Sequence, residues 1–126
     1  MKSIKPSTKI ILSALIFFSL IAATQITPPD AIIGTYNTEN NAAEIQIYKK
    51  NDAYFGIVVS GNEKLATGTI ILKNLTYKGN CWKGKVLAPA RNSDFDCSIT
   101  MANPSALKLV TKAGPITQEQ NWTKLQ

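Results

Sequence analysis

The strongest constraint on the fold of this chain is a stretch with a period of two. From Phe95 to Thr100 apolar and polar residues alternate, with Phe95, Cys97 and Ile99 on one side and Asp96, Ser98 and Thr100 on the other. Successive side chains of an extended backbone point to opposite faces, so this pattern describes a half-buried β-strand. Upstream, Trp82, Gly84 and Val86 alternate more loosely with Lys83 and Lys85, and Pro89-Ala90-Arg91-Asn92-Ser93-Asp94 lies between the two runs. Proline presets φ for a turn, and Asn, Ser and Asp bond their own backbone, so the segment reads as a hairpin.

The same grammar recurs along the chain. An extended lead-in over 24–30 carries Pro28 and Pro29, and Ala31–Tyr36 reads as a first strand with Gly34 at a bend. After a polar loop at Thr38–Asn41, Ala43, Ile45 and Ile47 alternate with Glu44 and Gln46, and Lys49-Lys50-Asn51-Asp52 makes a tight turn. Ala53–Ser60 has apolar residues on both faces, which suits a central or curved strand, and the Thr67–Tyr77 run is rich in β-branched residues. Asn103-Pro104-Ser105 and Ala113-Gly114-Pro115 separate two more strands, the last running from Ile116 to Leu125 with Trp122 in it. No amphipathic helix of useful length interrupts the series. About eight short strands at close spacing predict an all-β antiparallel meander, and closure into a small barrel would remove its exposed edges.

The N-terminus is of another kind. Lys2, Lys5 and Lys9 precede an almost unbroken apolar run from Ile10 to Ala23 that ends in small residues. This predicts a secretory signal peptide over residues 1–23, cleaved after Ala23; the competing reading is an uncleaved anchor, for which the run is short. Residues 24–126 would then form a single domain of 126 − 23 = 103 residues, periplasmic or secreted, with the membrane involved only before cleavage. Removing three lysines leaves 14 − 3 = 11 basic against 8 acidic residues, a balance of +3. The only basic pair in that domain is Lys49-Lys50, so no nucleic-acid partner is expected.

An oxidising compartment invites a disulfide between Cys81 and Cys97, the only two cysteines. The strand phase opposes it. Cys97 shares the face of Phe95 and Ile99, while Cys81 points opposite to Trp82, so a bridge needs a bulge or bend at Gly79-Asn80. The alternative is that Cys97 is a small core residue.

Taken in order, Gly34-Thr35-Tyr36, Ala43-Glu44-Ile45, Phe55-Gly56-Ile57-Val58, Trp82-x-Gly84, Pro89, Phe95-x-Cys97 and Trp122-Thr123-Lys124 resemble a bacterial secreted family, domain of unknown function 2147. The resemblance implies a small lipocalin-like β-barrel whose biochemical role is unassigned. The chain departs from that pattern in having Tyr36 where tryptophan is usual, Lys124 where arginine is usual, and a shorter loop between Val59 and Gly68. Closure would make the first and last strands neighbours. Tyr36, Trp122 and Lys124 are then expected to meet near one barrel end, with the lysine stem over an aromatic face. This is a weakened form of the lipocalin-like arrangement, in which a last-strand arginine covers a strand-one tryptophan.

The chemistry is sparse. The chain has no histidine, which removes Ser-His and Cys-His nucleophile pairs, and two cysteines alone are too few for a zinc site. Asp94 and Asp96 share a strand face beside a turn and read as a solvated hairpin end, with Arg91, the single arginine, pairing locally with Asp94. No enzymatic activity, cofactor or metal is expected. The aromatic residues Tyr36, Phe55, Trp82 and Phe95, with Trp122, are the candidate lining of a cavity for a small hydrophobic molecule, or else the filling of a packed interior. A filled barrel would favour a module that contacts an envelope protein through its hairpin loops.

Overall fold

The computed structural model describes residues 27–125, and the expected signal peptide at 1–23 lies outside them. Eight strands follow one another around a closed antiparallel barrel: β1 (Gly34–Asn37), β2 (Glu44–Lys50), β3 (Ala53–Ser60), β4 (Ile70–Tyr77), β5 (Trp82–Ala88), β6 (Ser93–Asn103), β7 (Ala106–Ala113) and β8 (Ile116–Lys124). Each strand pairs with its neighbours in sequence, and β1 closes the ring on β8 through Tyr36↔Lys124 and Asn37↔Thr123. The expected meander and its closure are therefore both present.

The alternation along Phe95–Thr100 decides which face is inside. Phe95, Cys97 and Ile99 of β6 lie in register with Val86, Gly84 and Trp82 of β5, and Trp82, Val86, Cys97 and Ile99 are buried. Ala53–Ser60 also behaves as its two-faced pattern required. Tyr54 and Val58 enter the core, whereas Phe55 and Ile57 are half-exposed on the outside. β4 is irregular, with a register shift between Lys73 and Thr76 and Asn74 at φ 52°. There its backbone bends across β5. A methyl group at Gly84 would lie 2.6 Å from the Lys73 carbonyl oxygen and 2.9 Å from that of Asn74. The glycine of the Trp-x-Gly motif is thus a seat for the neighbouring backbone.

Two local expectations are corrected. The stretch before Gly34 is not strand: Pro29–Ile32 is a 3-10 turn, with prolines 28 and 29 fixing its start, and β1 begins only at Gly34. Cys81 and Cys97 form no disulfide, and both are free. Because Trp82 is paired with Ile99, Cys81 falls three positions out of register with Cys97 and in the opposite phase. Burial pushes the Cys97 thiol up to about 12, as suits a small core residue.

Candidate functional site

The two ends of the barrel are built differently, and the difference locates the site. At one end the 3-10 turn lies across the opening as a plug. Five strands send a side chain to it. The Trp82 indole donates to the Pro29 carbonyl (3.1 Å), the Tyr36 hydroxyl to Ile32 (2.9 Å), and the Lys124 ammonium to Ala31 (3.3 Å). The Tyr54 hydroxyl donates to the Asp30 carboxylate (2.5 Å), and the Tyr77 hydroxyl reaches the Thr27 carbonyl. Ile32, Tyr36 and Trp82 are fully buried here. Among the described residues no buried side-chain nitrogen or oxygen lacks a partner, so the polar tips of this end are satisfied. A smaller recess of about 210 Å³ lies beside the turn, between Thr27, Pro28 and Ala31 and the stretch 101–104.

Tyr36 and Lys124 meet at this end as expected. The ammonium stands 5.8 Å from the ring centroid, and a methyl group at Gly34 would lie 2.4 Å from the lysine Cε. The missing side chain of Gly34 is what lets the lysine stem lie along β1. The expectation that Trp122 joins them is corrected: two residues earlier in β8, its ring lines the opposite mouth.

The opposite end is open. A cavity of about 380 Å³ enters between the strands there, beneath a short 3-10 turn at Glu39–Asn41. Its walls are apolar: Ala43, Ile71, Val86, Leu109 and Trp122 come from five different strands or their margins. Its rim carries uncharged polar groups, chiefly Thr38, Thr111, Gln118 and Gln120. The Trp122 indole donates to the Gln120 side-chain oxygen (2.9 Å), so its polar edge is spent and its ring faces apolar neighbours. Glu39 is the one ionisable group in the lining, and it accepts the Asn121 backbone N–H at 3.1 Å.

This inventory limits the chemistry. Glu39 stands there as a lone carboxylate, with no histidine, cysteine or second acid in the lining. Among the described residues there is no group of three or more His, Cys, Asp or Glu that could hold a metal. The recess is apolar with a few neutral polar groups at its rim, the make-up that small-molecule clefts share.

Of the residues singled out from sequence, Tyr36, Phe55, Trp82 and Phe95 are not among its walls. Tyr36 and Trp82 are buried at the plugged end, where Tyr77 also meets Trp82 edge-on at 4.9 Å between centroids. Phe55 is on the outer surface, stacked on Tyr48 at 5.9 Å. Phe95 is in phase with the interior and half-buried, with the Arg91 guanidinium 5.8 Å from its ring. Arg91 therefore covers Phe95, and Asp94 pairs with Lys73 at 3.3 Å, which corrects the expected local Arg91–Asp94 pair. Trp122 is the one expected aromatic in the lining. The residues missed are mostly small and aliphatic, and the signal for them was strand phase, as Leu109 and Thr111 alternate with Lys108, Val110 and Lys112 along β7.

A larger depression, of about 590 Å³, lies outside the barrel over β5, β6 and β7 among Lys83, Lys85, Lys112, Asp96 and Ser98. Lys85 and Asp96 pair across it at 2.5 Å, and each holds the other ionised, raising the lysine and lowering the aspartate. It is the solvated outer face of the sheet.

Comparison with solved structures finds one protein of similar architecture, described as protein HP1028 from the human pathogen Helicobacter pylori, which belongs to the lipocalin family. The two share 15% identity, the match covers 81% of this chain and 85% of that one, and the TM-score is 0.62. That likeness carries the fold. No curated protein matches the chain in sequence. A family model described as an uncharacterised protein conserved in bacteria matches residues 34–124. The match runs from the glycine that seats Lys124 to Lys124 itself, and the chain belongs to that family, DUF2147.

Proposed function

We propose that this protein is an exported, non-enzymatic barrel that holds a small apolar molecule in its mouth. One observation carries the reading: the barrel is stoppered at one end by the Pro29–Ile32 turn, yet leaves about 380 Å³ open beneath Glu39–Asn41 with an apolar lining. Apolar surface left in contact with water costs roughly 25 cal/mol per Å². A recess walled by Ile71, Val86, Leu109 and Trp122 therefore favours an apolar guest. The lysine-led signal pattern before Ala23 supports a periplasmic or secreted setting, where such a carrier would meet its ligand.

Titration with the neutral apolar fluorophore N-phenyl-1-naphthylamine tests the reading. Binding should be saturable and should disappear in Thr111→Trp, which fills the mouth from a half-buried rim position. It should persist in Phe55→Ala on the outer face. Absence of saturable binding, or binding indifferent to Thr111→Trp, overturns the proposal. Processing is checked separately by N-terminal sequencing of protein from the cell envelope, which should begin near Thr24.

A further inference from the structure

The barrel's closure is incomplete along β8, and the backbone shows which groups are left over. Lys124 donates its N–H to Ser105, next to β7, whereas Leu125 donates to Thr35, next to β1. In an antiparallel ladder the two edges of a strand alternate residue by residue. Even-numbered residues of β8 therefore bond β7, and odd-numbered residues face the other edge. On that edge β1 supplies partners only as far as Asn37↔Thr123, and the Glu39 carboxylate takes the Asn121 N–H. The N–H and C=O groups of Thr117 and Glu119 have no partner among the described residues. Every residue from Ile116 to Asn121 is exposed, and Ile116 is 55% exposed. Between Ile116 and Gln120 this edge carries a single charge, Glu119, and no lysine, proline or bulge, which are the stronger of the devices that protect an edge strand.

We propose that a second copy of this chain pairs with this edge, β8 against β8, antiparallel about a two-fold axis at Gln118. The register is self-complementary. Thr117 of each copy stands opposite Glu119 of the other, and since both present their backbone groups to the free edge, four N–H···O=C bonds form. Like charges do not meet: each Glu119 faces a threonine hydroxyl, with Lys112 on the far side of that threonine in the same cross-strand row. On the inner face, the two Gln118 amides meet each other and Ile116 comes beside Gln120 of the other copy. Gln118 and Gln120 line the mouth cavity, so pairing also adds an apolar side chain to the cavity's open margin. The pairing stands without the ligand reading; only this last consequence rests on it.

Sedimentation velocity on the chain as recovered from the producing cell, up to about 1 mM, tests the pairing, since weak edge contacts give correspondingly high Kd values. A reversible monomer–dimer equilibrium is expected. Glu119→Pro removes one edge N–H without touching the β7 ladder, because that N–H faces away from β7. Gln118→Lys places like charges directly opposite each other across the axis. Each should weaken dimerisation by about tenfold or more while leaving the circular dichroism spectrum unchanged. A monomer at every concentration, or a dimer that survives both substitutions, overturns the proposal. Apolar-probe binding that persists in a strictly monomeric protein would leave the mouth site standing and refute the pairing alone.

Discussion

The plugged end and the open mouth are made of the same eight strands, yet they solve opposite problems. At the plugged end large side chains with polar tips converge, and each tip finds an acceptor on the Thr27–Ile32 segment. Four of those five acceptors are backbone carbonyls, so the plug is held largely by its main chain. At the mouth the inward positions carry Ala43, Val86, Ala88 and Thr111, whose side chains are too short to cross the barrel. Trp122 is the one large ring there, against Tyr36, Tyr54 and Trp82 at the plugged end. The lesson is that satisfaction of polar tips, as much as apolar area, sets where a small barrel can be solid.

Substitutions at the two ends should break that contrast in a predictable order. Trp82→Ala removes a fully buried ring and leaves a void under the plug, which should cost roughly 3–5 kcal/mol and show as a large drop in the denaturant midpoint. A loss below about 1 kcal/mol, typical of a surface change, would mean the plugged end is not a tight core. Gly84→Ala forces a methyl group against the carbonyls of β4, so roughly 1–3 kcal/mol should be lost without any cavity being made. An unchanged midpoint would show that β4 yields freely at its bulge.

The hydroxyls of the plugged end give a smaller and pH-dependent effect. Tyr36→Phe deletes the bond to the Ile32 carbonyl and leaves that acceptor buried, a change on the order of 1 kcal/mol. Burial raises the Tyr36 phenol to about 12, and burial together with the bond to Asp30 raises Tyr54 to about 12. A group whose folded pKa lies above its unfolded value of 10.0 stabilises the fold fully below that pH. That stabilisation is lost as the pH rises from 10.0 toward about 12. Ultraviolet titration should show Tyr36 and Tyr54 ionising only with unfolding, and Tyr36→Phe should shorten the alkaline loss. Ionisation of Tyr36 and Tyr54 near 10.0 in the folded protein would contradict the packing described.

The smallest effect is expected at the mouth. Gln118→Ala removes an exposed rim amide and should change stability by less than about 0.5 kcal/mol, the scale of ordinary surface substitutions. With an apolar ligand present, the same mouth should gain stability by mass action, about 2.7 kcal/mol at a hundredfold excess over Kd. Trp82→Ala would then lose stability with or without ligand, whereas Thr111→Trp would lose only the ligand-dependent increment.

The strands were legible in the sequence because their cause is local. A period of two requires only that one face be hidden, and Phe95–Thr100 states it within six residues. Closure was legible more indirectly, through Gly34, Tyr36 and Lys124 as an ordered set. The single-residue phase also foretold that Cys81 and Cys97 point apart, which the free thiols bear out. What the sequence could not place was which end of the barrel each inward residue occupies. Phase assigns a residue to a face; height along the axis depends on register and strand tilt, which are fixed by pairing between strands. Hence Trp82 and Trp122, both buried and both followed by alternating partners, came to opposite ends. Phe55 was misjudged for a related reason, because its strand is apolar on both faces and alternation alone cannot tell inside from outside there. The turn at Pro29–Ile32 was also hidden, since its conformation is held by side chains distant in sequence, from Tyr54 to Lys124. The chain by itself determined a meander of half-buried strands. Only the tertiary structure, by setting register and docking the plug, decided which end is solid and which is open.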